Sequence, residues 1–114
     1  MKTAHFLSSD QTTSQNLAIA PLDYTFNFAR KRKIEMVLFN FSVAVSEQIR
    51  IKLDSAQGSN YDAILDEAIV EADTSYRFMP EGELNLQASD KLTVQCTNAN
   101  LTGVCYVVVK TSEM

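Results

Sequence analysis

Lys91-Leu92-Thr93-Val94-Gln95-Cys96, then Thr97-Asn98-Ala99-Asn100-Leu101-Thr102-Gly103, then Val104-Cys105-Tyr106-Val107-Val108-Val109-Lys110, is two alternating runs around a polar, glycine-ended connection. Alternation with a period of two is the mark of a half-buried strand. Folding the second run back antiparallel predicts a β-hairpin with Cys96 facing Cys105, Val94 facing Val107 and Leu92 facing Val109. One face is then wholly apolar, while Thr97/Val104, Gln95/Tyr106 and Thr93/Val108 make the other. A slip of one residue would turn the apolar set out to water. The expected class is therefore all-β and antiparallel, with one buried sheet face.

The same alternation recurs upstream. Leu22, Tyr24, Phe26 and Phe28 alternate with Asp23, Thr25 and Asn27. In Ile34 to Val45, one face carries Val37, Phe39, Phe41, Val43 and Val45, and Ile34, Met36 and Leu38 begin the other. Apolar residues on both faces at its start suggest a central strand. Ser46-Glu47-Gln48 reads as a tight turn into Ile49, Ile51 and Leu53, giving a second hairpin. Tyr76 with Phe78, and Leu84 with Leu86, read as further strands around Glu81-Gly82. Residues 3–7 read as a short edge strand, and Ser8 to Asn16 as a polar loop or arm that orders on contact with a neighbour.

Tyr61 to Ala72 admits two readings. Tyr61, Ile64, Leu65, Ala68, Ile69 and Ala72 fit a helical stripe, with Ser59 or Asn60 as N-cap. Alternation over Asp62 to Asp66 fits a strand, which a sandwich requires here, and one short helix near 61–72 stands as the alternative. Together these elements predict a single domain over 1–114, an antiparallel, jelly-roll-like β-sandwich of about 7–8 strands with short spacings and turn signals between them. A chain of 114 residues builds one core and not two.

Composition narrows the function. At 46% apolar and 21% charged, the chain is ordinary for a globular protein, and its longest apolar runs are far too short to cross a bilayer. Met1 to Phe6 lacks the apolar region of a signal peptide, which predicts synthesis in the cytoplasm without export. Residues 1–57 hold seven Lys/Arg against five acids, and residues 58–114 hold three against nine. The acidic second half argues against a general nucleic-acid surface. No membrane partner is expected either.

The chemistry-bearing residues are few. His5 is the only histidine, and a nucleophilic site needs a base held rigidly against its Ser or Cys. Cys96 and Cys105 lack the second ligand pair of a structural zinc site. Facing each other, they could form a cross-strand disulfide, but in a chain that is not exported free core thiols are the better reading. The loop Asp54 to Gly58 and the acids Asp66, Glu67, Glu71 and Asp73 do not match EF-hand spacing. No P-loop or dinucleotide fingerprint occurs. No catalytic residue, metal or cofactor is therefore expected, and the chain reads as a non-enzyme. The cluster Arg30-Lys31-Arg32-Lys33 is a candidate interface for an acidic partner surface, a phosphate or the acidic half of a neighbouring copy. Tyr24, Tyr61, Tyr76 and Tyr106 could serve a subunit interface or a sugar platform.

Val37-Leu38-Phe39-Asn40-Phe41-Ser42, Ile49 to Ser55, Gly58-Ser59-Asn60-Tyr61-Asp62, Arg77 to Leu84 and Ser89 to Asn98 together resemble small β-sandwich virion proteins of tailed bacteriophages. The similarity runs over about residues 34 to 110 and is a pattern of strands and turns. Such proteins commonly carry a Gly-Asp turn before the penultimate strand, where this chain has Ser89-Asp90. The resemblance implies a structural role in the virion: decorating or cementing a capsid, or forming part of a fibre or tail. It also implies self-association, often as a homotrimer, beside other virion subunits such as the major capsid protein. It transfers no functional residue. A carbohydrate-binding β-sandwich, receptor-binding or lectin-like, is the alternative, and the absence of Trp weighs against it.

Overall fold

The computed structural model describes residues 8–113. The strand expected over 3–7, and His5 with it, lie outside that range. The described residues form seven strands: β1 (Ser8–Asn16), β2 (Leu22–Asn27), β3 (Arg32–Asp54), β4 (Ala63–Phe78), β5 (Asn85–Leu86), β6 (Lys91–Cys96) and β7 (Val104–Glu113). All pairings are antiparallel. The fold is all-β, a single sheet curled over itself until it is nearly barrel-shaped.

The long strand β3 organises everything else. Its first part, from Arg32 to Phe41, pairs with β7, and its last part, from Ile49 to Asp54, pairs with β6. Along its other edge β4 runs the whole way, from Leu53↔Ala63 to Val37↔Phe78. β1 then pairs with β7, and β2 with β6. Each half of β3 therefore sits in its own run of four paired strands within the curled sheet, β1–β7–β3–β4 and β2–β6–β3–β4, called layers below. Four long ribbons of chain cross from layer to layer at residues 17–21, 42–48, 71–74 and 97–103.

This arrangement corrects both expected hairpins. β6 and β7 do not pair with each other; they follow one another in the same direction along β3, and Cys96 lies beside Leu22 and Ile49, Cys105 beside Gln15 and Phe41. Alternation fixes which side chains turn inward, not which strand lies alongside. Hence Leu92, Val94, Cys96, Cys105, Val107 and Val109 are all buried, as expected, although none has the expected partner along the sheet. Likewise Ser46-Glu47-Gln48 is no turn. β3 continues through it, and register shifts between Asn40 and Val45 and between Val45 and Glu47 bend the strand across the corner. The bend turns Val43 outward, 44% exposed, where the alternation had placed it in the core.

Two further expectations resolve. Ser8 to Asn16 is an edge strand and not a loop: its Gln11, Thr13 and Gln15 lie opposite the buried Val109, Val107 and Cys105. Polar residues suffice there because an edge strand covers the sheet margin and not its centre. Between residues 61 and 72 the strand prevails. A single 3-10 turn, Ser59–Tyr61, without a side-chain cap, leads into β4. The would-be helical stripe is split by the pleat, so Ile64 and Ile69 are exposed while Val70 is buried.

Phe39, Ile34, Ile49, Ile51, Leu86 and Leu92 are among the largest fully buried side chains, joined by Leu17, Leu22, Phe26 and Phe28. At about 1.5–3 kcal/mol for each such side chain removed from water, this interior drives folding.

Candidate functional site

At the corner the ladder hydrogen bonds of β3 give way to side chains, because a bent strand leaves backbone N–H groups unpaired. The Ser42 hydroxyl accepts from Val104 N at 2.8 Å, Asn100 Oδ1 from Ser46 N at 2.8 Å, and the Ser46 hydroxyl from Ala72 N at 3.1 Å. Glu47 lies inside, 3% exposed, and gathers the crossover of residues 97–103. Its carboxylate accepts the Thr97 hydroxyl at 2.7 Å and the backbone N–H groups of Ala99 at 2.9 Å and Asn100 at 2.8 Å. The corner is rigid, and Ile19, Leu101 and Val43 project from it into solvent.

Asp90 does the same work at the opposite end. Buried before β6, it accepts Ala56 N and Gln87 N, both at 2.8 Å. Ser89 beside it sits at φ 71, in the left-handed region that suits glycine.

The basic cluster is dispersed. Arg30 and Lys31 are exposed in the bend that precedes β3. Arg32 opens β3, and its Nε donates to Thr111 Oγ1 at 3.0 Å. Lys33 pairs with Glu35 at 3.7 Å. Arg30, Lys31 and Arg32 line one side of a shallow depression of about 280 Å³ that Glu113 completes. Only the first two present free-standing charge to a partner on geometry alone.

Cys96 and Cys105 are free and buried, contributed by opposite layers. The hydrogen bond to the Cys96 thiol, followed by burial, pushes the Cys105 thiol far above its ordinary pKa. Cys96 Sγ also donates to Thr97 O at 3.3 Å. A thiol held neutral in this way is a poor nucleophile. The two thiols meet, as the sequence leads one to expect, but across the interior and not along a hairpin.

The two outer faces differ in character. Outside the β2–β6–β3–β4 layer the central residues run in polar rows, Asp23, Gln95, Arg50 and Glu67 in one and Thr25, Thr93 and Lys52 in the next, with the exposed Ile64 and Ile69 at the β4 margin. Gln95 Nε2 donates to Asp23 Oδ1 at 3.3 Å, and Arg50 is ion-paired with Glu67. At the upper end of these rows lies a groove of about 230 Å³ lined by Pro21, Leu22, Asp23, Gln48, Arg50, Gln95, Cys96 and Thr97. Sequence reasoning missed this groove because its residues come from β2, β6 and β3, strands far apart in the chain that are brought side by side by β6.

Outside the β1–β7–β3–β4 layer the centre is apolar: Val104, Tyr106 and Val108 of β7 stand beside Met36 and Leu38 of β3. Of the four tyrosines, Tyr106 belongs to this face. Tyr24 stacks edge-on against Phe26 with centroids 4.9 Å apart, and Tyr61 stands exposed in the 3-10 turn. Tyr76 is half-buried on β4 and donates to Asp66 Oδ2, tying the two halves of that edge strand together. Among the described residues no group of three or more His, Cys, Asp or Glu is placed to hold a metal ion. No described helix is long and apolar enough to cross a membrane.

These features define an all-β, antiparallel protein. No family model and no curated protein matches the chain. Among solved structures it is similar to one described as the crystal structure of PirA. The two are 13% identical with a TM-score of 0.51, and the match covers 96% of each chain. That likeness shows the fold alone. A structure from Bacillus endospore appendages, described as a novel family of disulfide-linked pili, aligns over 93% of this chain and 92% of its own. Its identity is 9% and its TM-score 0.29, too low to carry an argument.

Proposed function

We propose that the chain is a non-enzymatic structural protein of a tailed-bacteriophage virion, specifically a capsid decoration or cement protein. In this role it binds further copies of itself and other capsid subunits, the major capsid protein among them, and stabilises the particle. The strand pairing is the observation that carries the reading. Counting each half of β3 and β4 separately and leaving out β5, the first half-strand lies beside the eighth, the eighth beside the third and the third beside the sixth. In the other layer the second lies beside the seventh, the seventh beside the fourth and the fourth beside the fifth. We read this order as that of a jelly-roll sandwich, an architecture used by viral capsid domains. The likeness of residues 34 to 110 to phage virion proteins supports the same setting, and the exposed Arg30 and Lys31 would offer charge to an acidic coat surface. An antibody against the chain should label the outside of purified particles produced from the genome that encodes it. Its absence from those particles would overturn the reading.

A second reading rests on the groove beside Pro21. Lectin domains share the jelly-roll order, and planar amide, carboxylate and guanidinium groups suit the hydroxyls of a sugar ring. Gln48, Gln95, Asp23 and Arg50 rim the groove over an apolar floor of Pro21, Leu22 and Cys96. On a glycan array this reading expects a binder whose signal disappears with Gln48→Ala and Gln95→Ala. A blank array removes it.

A further inference from the structure

We propose that Cys96 and Cys105 are a peroxide-responsive dithiol: a small peroxide entering the groove beside Pro21 converts them into an intramolecular disulfide that ties the two layers together at the corner. The inference does not rest on the virion setting, and a chain without this chemistry would leave that reading untouched.

The fold itself brings the two sulfurs together. Cys96 ends β6 opposite Ile49, and Cys105 lies at the start of β7 opposite Phe41, so the two stand on either side of the bend in β3. The bend turns both into one interior, where they are 2% and 0% exposed, and the Cys105 thiol hydrogen-bonds to that of Cys96. Cysteines on facing inner sheet surfaces are bridged by a disulfide in other β folds. The chain has no other cysteine, so neither sulfur has a competing partner within it. A bond here would also join the two ends of the crossover at residues 97–103.

Access to the pair is unequal. Cys96 forms part of the floor of the groove of about 230 Å³, between Leu22 and Thr97, whereas Cys105 is not part of that lining. Gln48, Gln95 and Asp23 border the same groove with amide and carboxylate groups that can hydrogen-bond a peroxide. A peroxide is small enough to follow the groove down to a sulfur that bulkier labelling reagents do not reach.

The chemistry follows from that asymmetry. The Cys96 sulfur attacks one peroxide oxygen, the O–O bond breaks, and the departing hydroxide leaves as water with the Cys96 proton. Cys96 is then a sulfenic acid, which condenses with a neighbouring thiol. The Cys105 sulfur attacks Cys96 Sγ, the S–O bond breaks, and the second hydroxide leaves as water with the Cys105 proton. In sum, two thiols and one hydrogen peroxide give one disulfide and two waters, the sulfurs losing the two electrons that the peroxide gains. Contact between the sulfurs makes the second step intramolecular and offsets the weak nucleophilicity of a buried, protonated Cys105.

Hydrogen peroxide, added to the reduced and folded full chain at neutral pH, is the probe. Digestion without reductant followed by mass spectrometry should show the Cys96 and Cys105 peptides joined, with two hydrogens lost, and dithiothreitol should release them. In Cys105→Ser the reaction should stop with oxygen added to Cys96, whereas Cys96→Ser should leave Cys105 unoxidised. The wild-type map stands without either variant should one fail to fold, which circular dichroism reports. Met79, 59% exposed, serves as the internal control for oxidant. Cysteine peptides that stay unlinked while Met79 is oxidised overturn the proposal. So does a disulfide between two chains, or a link that forms only in denaturant. Oxidation of Cys105 in Cys96→Ser as fast as that of Cys96 in Cys105→Ser also overturns it.

Discussion

Glu47 and Asn100 stand 53 residues apart in the chain, yet the Glu47 carboxylate accepts the Asn100 backbone N–H at 2.8 Å. The same carboxylate holds Thr97 and Ala99, so one buried side chain fixes the passage from β6 to β7. Removing it strands three donors at the corner. Glu47→Ala should destabilise the fold by about 2–3 kcal/mol, the cost of leaving buried donors unsatisfied. Urea unfolding measures the difference. A change below about 0.5 kcal/mol, typical of a surface substitution, would refute the role given to Glu47.

Ser89 occupies left-handed backbone at φ 71 while its own N–H donates to Phe28 O at 2.8 Å. A side chain in that region costs about 1–2 kcal/mol, part of which glycine returns as extra freedom in the unfolded chain. Ser89→Gly should therefore raise stability by about 0.5–1 kcal/mol, read as a higher melting temperature.

Gly103 shows the reverse case. At φ 83 a Cβ would lie 2.9 Å from Val43 Cγ2. Gly103→Ala should cost about 1–3 kcal/mol from strain and overlap together. Adding Val43→Ala relieves the overlap and not the backbone, so the double variant should recover only part of the loss in the same melt.

Tyr76 gives a pH signature. Burial, the hydrogen bond to Asp66 and the negative charge of Asp66 push its pKa up to about 12. The unfolded phenol titrates near 10, so the folded state favours the protonated form. The resulting stabilisation is complete below about pH 10 and lost as pH climbs through about 12. Alkaline unfolding curves of the wild type and Tyr76→Phe should converge across that window, whereas parallel curves would contradict the assignment.

Cys96 and Cys105 should be silent toward thiol reagents in the folded protein and both reactive in denaturant, because both are buried and the hydrogen bond to Cys96, with burial, keeps the Cys105 thiol protonated. Fast labelling of the native chain at neutral pH would contradict that environment.

Much of the interior was legible from the sequence because the pleat has a strict period. Leu22, Phe26, Phe28, Val37, Phe39, Phe41, Ile49, Ile51 and both cysteines all turn inward as alternation required. Partnership between strands was not legible. Whether a chain reverses or carries on past Thr97–Gly103 depends on donors supplied by residues far away, Ser42 and Glu47 above all. Glu47 sat in a stretch that looked like a turn because its apolar-to-polar switch was read as exposure. β1 escaped notice because its inner residues, Gln11, Thr13 and Gln15, cover a sheet edge without being apolar. The groove and the apolar outer face depend on rows that cross strands, so they appear only once the register is known.

β3 and β4 each belong to both layers, and this has a mechanical consequence. Tension applied between the corner at residues 97–103 and the loops at the opposite end runs parallel to the strands. It meets ladders such as Leu53↔Ala63 through Gln48↔Ile69 in shear, so many hydrogen bonds must give way together. Neither layer can peel from the other without breaking a strand they share. A molecule that resists pulling along its strands in this way would transmit a strain on one end to whatever holds the other.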